Sequence, residues 1–155
     1  MFKFGTIGAF KQVRNNPRCK VTKDSFPGEV VIPNDATGLA KAPGNDGEAQ
    51  GEVYVLTNII DKPEIGNKID FKVKEGEFAH SSNLADLKDL PVELNYQVLK
   101  DDYASVAKGD VLVPAADGSG KWVKGDAGSF KVSLEVLEKS AYGNKGLYCT
   151  VRVNQ

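Results

Sequence analysis

The stretches Phe130-Lys-Val-Ser-Leu-Glu-Val-Leu137 and Leu147-Tyr-Cys-Thr-Val-Arg-Val153 decide the predicted fold, because apolar and polar side chains alternate along both of them. Apolar residues occupy the even positions from 130 to 136 and the odd positions from 147 to 153. Successive side chains of a β-strand point to opposite faces of its sheet. Each stretch is therefore predicted to be a strand with one buried and one solvated face.

Three runs upstream share this strand-like composition. Each is short, rich in β-branched and aromatic residues, and bounded by Gly, Asp, Asn or Pro, which is typical of consecutive antiparallel strands. They read Val92-Glu-Leu-Asn-Tyr-Gln-Val-Leu-Lys100, Lys108-Gly-Asp-Val-Leu-Val-Pro114 and, after the tight turn Asp117-Gly-Ser-Gly120, Lys121-Trp-Val-Lys124. A sheet with one buried face needs a second layer or closure on itself. The sequence therefore predicts an all-β fold, a small antiparallel β-barrel or sandwich.

The first half of the chain adds fewer strands and a long loop. Residues 29–32 are a short predicted strand. Residues 52–60 and 68–74 are predicted to pair as a hairpin, because both are apolar and bounded by turn residues. Residues 33–51 hold Leu39 as their one large apolar side chain, so they are predicted to form a long surface loop.

At most one short helix is predicted, between residues 75 and 91. Ser82 or Asn83 is a suitable N-cap, and Leu84 and Leu87 follow at helical spacing. Pro91 would stop a helix of one or two turns.

The N-terminal segment separates its charges from those of the rest of the chain. Residues 1–23 contain six cations and no acid. The segment is either a solvated terminus or an arm that orders on an acidic partner surface, with its phenylalanines as apolar anchors. We predict a basic arm over residues 1–27 and a β-domain over residues 28–155. The predicted partner contacts in the arm are Phe2, Lys3, Phe4, Phe10, Lys11, Arg14, Arg18 and Lys20.

Length and composition limit the class of protein. A chain of 155 residues suits one domain, burying roughly 70% of the surface that its unfolded chain exposes. Its formal net charge of -1 argues against a nucleic-acid partner. It lacks both the apolar run of about 20 residues that a membrane span needs and a signal-peptide pattern, so synthesis in the cytoplasm is expected. Cys19 and Cys149 are expected to be free thiols.

Signals for catalysis are weak. The one histidine, His80, has Ser81 and Ser82 beside it, but neighbours in sequence seldom hold catalytic geometry. The two cysteines and His80 lack the paired spacing of a zinc site. We therefore expect no cofactor, no metal and no enzymatic activity.

A calcium site is left open by four aspartates that lie in or beside loops. Such loops meet at one end of a barrel, but the spacing of a calcium-binding loop is absent. These residues are Asp101, Asp102, Asp110 and Asp126.

Trp122 has two interpretations. A lone tryptophan between Lys121 and Val123 is typical of a packing residue at a barrel lid or edge. Tryptophan is also enriched at interfaces, so Trp122 is the predicted interface residue of the β-domain.

Four segments between residues 51 and 153 follow one another in a recognisable order and spacing. They are Gly51-Glu-Val-Tyr-Val-Leu-Thr-Asn58, Lys108-Gly-Asp-Val-Leu-Val113, Asp117-Gly-Ser-Gly-Lys-Trp-Val123 and Gly146-Leu-Tyr-Cys-Thr-Val151. In this order and spacing the chain resembles the capsid decoration, or cement, proteins of tailed bacteriophages.

This resemblance implies a structural role in a virion. Proteins of that family are small β-barrels, often homotrimers, that bind the outer surface of an assembled head at junctions between subunits of the major capsid protein. The basic arm would then extend onto the capsid or onto a neighbouring copy.

Two other functions compete with this one. A glycan- or cell-surface-binding β-module would use Trp122, Tyr103 and the loops at one barrel end. A small hydrolase or lyase would need a loop carboxylate such as Asp102 in a catalytic pair.

Overall fold

The computed structural model describes residues 1–4, 13–60, 64, 66 and 68–154, and these residues form an all-β structure with two six-stranded sheets. One short α-helix, α1, spans Asp46–Gln50 in this part of the chain. The strands are β1 Phe2–Phe4, β2 Asn15–Asn16, β3 Lys20–Val21, β4 Val30–Asn34, β5 Leu39–Lys41, β6 Tyr54–Leu56, β7 Ser81–Asn83, β8 Pro91–Asn95, β9 Val111–Pro114, β10 Trp122–Lys124, β11 Val132–Ser140 and β12 Gly146–Val153.

The first sheet has the strand order β1-β8-β12-β11-β9-β10 and is antiparallel throughout. Its centre is the hairpin of β11 and β12, which confirms the two strands predicted at the C-terminal end. Leu134 pairs with Val151, and both side chains are completely buried. Phe130 precedes β11 and is half-buried, so the predicted alternation begins at Val132 instead.

The second sheet has the order β2-β7-β6-β4-β5-β3, and its one parallel pair is β3 with β5. Both faces of its central strands are buried. Val30 and Val55 pack against the first sheet, whereas Val31 and Leu56 face a second, smaller core. A strand that is covered on both faces reads as a continuous apolar run. The described residues therefore form a sandwich-like structure with no closed barrel.

Two apolar cores stabilise this arrangement. The larger one lies between the sheets and includes Trp122, which is completely buried. The smaller one is closed on its outer side by residues between β6 and β7, among them Phe71 and Val73. Its buried members are Cys19, Val21, Val31, Ala40, Leu56, Phe71, Val73 and Ala79.

The predicted hairpin of residues 52–60 and 68–74 is wrong. β6 covers three residues and pairs with β4 and β7. Lys68–Asp70 is a 3₁₀-helix, and Val73 bridges Ser25. The alternation in this segment serves to bury Phe71 and Val73 in the smaller core rather than to extend a ladder. The predicted turn lies largely outside the described residues.

Residues 33–51 contain regular elements, contrary to the prediction of a long loop. β5 pairs with β4, and α1 follows it. Asn45 caps α1, because its side-chain oxygen accepts a hydrogen bond of 3.0 Å from the Glu48 amide. Gly118 N donates to Pro43 O over 2.7 Å, which ties this segment to the turn before β10.

The short helix predicted between residues 75 and 91 is a single 3₁₀ turn over Leu84–Leu87, whereas α1 lies in the segment that was predicted to be a loop. Asn83 caps it by accepting a hydrogen bond of 2.8 Å from the Ala85 amide. Leu84 and Leu87 are completely buried. The segment then returns to a strand, since Pro91 begins β8.

Candidate partner-binding surface

The described parts of the N-terminal segment belong to both sheets. β1 forms an edge of the first sheet, where Lys3 lies opposite Glu93 of β8. β2 and β3 lie at the two ends of the second sheet. These three strands lie in the segment that was predicted to be an arm, and each supplies a backbone partner to one side of β8, β7 or β5. The domain boundary at residue 27 stays a prediction.

The predicted arm contacts are only partly described. Phe10 and Lys11 lie outside the described residues, and for Phe4 the backbone alone is described. Phe2 is half-buried and packs against the larger core. The predicted contacts whose side chains are exposed are Lys3, Arg14, Arg18 and Lys20.

Three of these exposed cations pair with acids of the same chain. Lys3 forms an ion pair with Glu93. The Arg14 guanidinium contacts Asp86 and, at 2.8 Å, Glu52. This hydrogen-bonded guanidinium lowers the pKa of Asp86 below its usual value. Part of the positive charge of the N-terminal segment is thus neutralised within the molecule, by acids that come later in the chain.

Arg18 makes the third of these pairs, with Asp35 at 2.8 Å. The pKa of Asp35 is lowered, first by the hydrogen bond from the Asn16 amide and then by the charge of Arg18. Farther along, Lys23 pairs at 2.6 Å with the buried carboxylate of Glu29.

Lys20 differs from these cations, because its ammonium pairs with no carboxylate of the described residues and lies 5.2 Å from the centre of the Phe78 ring. Lys20 is aligned with Leu39 of β5 on one side and with Phe78 on the other. Val21 N donates to Glu77 O, and Ala79 N donates to Cys19 O. Lys20 and Phe78 are thus directly opposed residues without mutual hydrogen bonds, the arrangement that brings side chains closest. We call Leu39, Lys20 and Phe78 the Lys20 row.

The large apolar side chains that are exposed in the described part of the chain are Leu39 at 44%, Ile59 at 82% and Phe78 at 54%. Two of them belong to the Lys20 row, and Ile59 follows β6. The side-chain amide of Asn58 donates a hydrogen bond of 3.0 Å to Phe78 O. Ile59 is therefore the next residue after one that is hydrogen-bonded to the Lys20 row. All three side chains therefore belong to the second sheet and its immediate extensions.

Two grooves lie beside Ile59. One, of about 270 Å³, is lined by Phe2, Ile60 and Tyr142 among others, and runs along the join between the two sheets. The other, of about 310 Å³, includes Asn16 and His80. Each groove is therefore bordered by a part of the N-terminal segment.

The groove that contains His80 does not assemble a Ser-His pair. Ser81 Oγ donates to Asn16 O, and Ser82 Oγ lies 3.4 Å from the Thr57 hydroxyl. Both hydroxyls near His80 are thus engaged elsewhere.

Trp122 lies in the core rather than at the surface. Its side chain is completely buried, and its indole N–H donates to Gly28 O at 3.0 Å. It thus fits the packing interpretation and, in this structure, has no surface to offer to an interface. Tyr103, the other member of the predicted sugar platform, donates from its hydroxyl to Gly146 O and carries the Lys139 ammonium 4.6 Å from its ring centre.

The four loop aspartates serve local structure. Asp101 accepts a hydrogen bond from Lys124 N at 2.7 Å, and Asp110 pairs with the Lys124 ammonium at 2.8 Å. Asp102 and Asp126 each cap a 3₁₀-helix. Within the described ranges, no group of three or more His, Cys, Asp or Glu side chains is placed to hold a metal ion.

Comparisons with models of protein families, with curated proteins and with solved structures found no match for this chain. None of the described helices is long and apolar enough to cross a membrane. The function must therefore be argued from the surface itself.

Proposed function

We propose that this protein is a structural component of a tailed-phage virion that binds the outer surface of the assembled head at junctions between major capsid protein subunits and stabilises the lattice. The observation that carries this proposal is the placement of the exposed large apolar side chains, Leu39, Ile59 and Phe78, on one sheet and its extensions. The resemblance in sequence supplies the class of partner.

The backbone beneath these side chains supports a role in binding. β3 is held on one side by β5 and on the other by residues 77–79, through hydrogen bonds of 2.8–3.0 Å. A surface fixed in this way loses little conformational freedom when a partner binds, which favours affinity. Clustered exposed apolar side chains are also a recognised mark of interaction sites.

Only a modest affinity for each contact is required. Burying one Leu, Ile or Phe side chain contributes at most about 1.5–3 kcal/mol, and association itself costs several kcal/mol. A protein that bridges two subunits is released only when both contacts break together. Because it binds the assembled lattice in preference to separate subunits, it stabilises the lattice by mass action.

The resemblance also suggests that several copies act together as a homotrimer at the outer surface of the virion. A glycan-binding platform lacks support, because Trp122 is buried and the Tyr103 hydroxyl is hydrogen-bonded within the chain.

Cosedimentation tests the proposal. Purified protein is mixed with empty tailed-phage heads that lack their decoration protein, and in parallel with the unassembled major capsid protein. We expect saturable attachment to heads, visible as added surface density by negative stain, and weak binding to free subunits. Equal binding to free subunits, or no attachment to heads, would contradict the proposal.

A further inference from the structure

The Lys20 row combines an ammonium that pairs with no carboxylate in the described part of the chain and an apolar side chain on each side of it. Neighbouring strands lie about 4.8 Å apart, so the two apolar members are separated by about 10 Å across Lys20. The ammonium leans on the Phe78 ring, a contact worth only about 0.5–1 kcal/mol at an exposed site. A carboxylate of a partner can therefore pair with this ammonium at a small cost in free energy, because little is lost when the contact with the ring is broken.

We infer that the Lys20 row binds an acidic side chain flanked by apolar side chains on a partner protein. This inference rests on the proposed function, in which the partner is the capsid lattice, and it specifies the chemistry of the contact. The carboxylate pairs with Lys20 while its apolar neighbours cover Leu39 and Phe78. Covering the row lowers the local dielectric constant, so the attraction between the two charges grows and offsets part of the cost of desolvating them.

The surrounding charges favour one carboxylate over a polyanion. Arg18 is already paired with Asp35, and Lys41 with Glu48 at 2.7 Å. Nucleic acid binds by neutralising many phosphates, whereas Lys20 is the single cation of the row. A partner with a single carboxylate between apolar side chains is therefore complementary to the row.

Among the described residues, the acids nearest to Lys20 in the fold have other partners. Glu77 precedes Phe78, but its carboxylate accepts a hydrogen bond of 2.8 Å from Lys74 N. Asp35 is held by Asn16 and Arg18.

The test compares four variants in the head-binding assay, with wild-type protein as reference. Lys20→Glu inverts the charge in the row and Phe78→Ser removes its largest apolar side chain. Lys121→Glu makes the same charge change away from the row, and Phe130→Ser removes a half-buried phenylalanine beside the first sheet. Circular dichroism and thermal melting confirm that each variant is folded.

We expect the affinity for heads to fall about tenfold or more in Lys20→Glu and Phe78→Ser, and to change less than about threefold in the two controls. Binding of the row variants at wild-type strength would overturn the inference and leave the proposed function standing. Failure of the wild type itself to attach would remove both. Sedimentation velocity gives one further outcome. Self-association that is abolished by Phe78→Ser would assign the row to a second copy of this chain and overturn the inference.

Discussion

The indole nitrogen of Trp122 and the carbonyl oxygen of Gly28 are 94 residues apart in sequence and are joined by a hydrogen bond of 3.0 Å. Gly28 leads into β4 of the second sheet, and Trp122 begins β10 of the first. Val30 N also donates to Gly120 O at 2.7 Å. Together these two bonds fasten one sheet to the other next to the larger core.

Replacing Trp122 is expected to destabilise the fold strongly. Trp122→Ala leaves a cavity and should lower the free energy of unfolding by about 3–5 kcal/mol. Trp122→Phe keeps most of the apolar volume but leaves the buried Gly28 carbonyl without its indole donor, at a cost of about 1–3 kcal/mol. Urea denaturation monitored by circular dichroism measures both, with Lys121→Ala as control. A Trp122→Ala protein as stable as the control would show that the indole is not a core residue.

Gly120 should tolerate a side chain less well than Gly118 of the same turn. Both have positive φ, at +71° and +78°, so an alanine at either position is strained by about 1–2 kcal/mol. A Cβ at Gly120 would also lie 2.9 Å from Val30 O, whereas nothing lies within 4 Å of one at Gly118. Gly120→Ala is therefore expected to reduce the melting temperature more than Gly118→Ala. Equal melting temperatures would show that the sheets are not in close contact at this turn.

Deleting residues 1–23 is expected to disrupt the second sheet. The deletion removes β1, β2 and β3 together with Cys19 and Val21, which are buried in the smaller core. Deleting residues 1–4 alone removes one edge strand and serves as the milder comparison. Thermal melting followed by circular dichroism should show a large loss of stability for the longer deletion and a small one for the shorter. If both deletions melt close to the full chain, the N-terminal segment is dispensable for folding.

The two thiols are expected to react slowly in the folded protein. Burial raises the pKa of Cys149 to about 12 and also raises that of Cys19, so at pH 8 little of either thiol is in the reactive thiolate form. Titration with a chromogenic disulfide reagent should find two slow thiols in buffer and two fast ones in urea. Rapid modification under native conditions would indicate that the cores open readily.

The local sequence pattern predicted the elements that have one buried and one exposed face. β11 and β12 were predictable from the alternation of apolar and polar residues along each strand. The 3₁₀ turn was predictable from the Asn83 cap and the two leucines that follow it, because residues close in sequence determine both kinds of element. The central strands of the second sheet are covered on both faces, so their sequences do not alternate. Their pairing partners could therefore not be predicted from the pattern. The pairing of Lys20 with Phe78 joins residues 58 positions apart, a contact that no local pattern records.

The candidate surface was predictable only in part. Lys20 was among the predicted contacts because it belongs to a basic segment, yet the other exposed and described cations of that prediction pair with acids elsewhere in the chain. Those acids lie in β8, in the 3₁₀ turn at residues 84–87, just before β6 and just after β4, so the pairs depend on how these elements are placed in space. The exposure of Phe78 depends in turn on the second sheet extending beyond the area that the first sheet covers.

The most direct test of the central claim is the affinity of wild-type protein and Phe78→Ser for assembled heads, measured by cosedimentation over a concentration series. The account predicts saturable binding by the wild type and about tenfold or more weaker binding by the variant, with Phe130→Ser close to wild type. Wild-type protein that stays in the supernatant at every concentration would contradict the account.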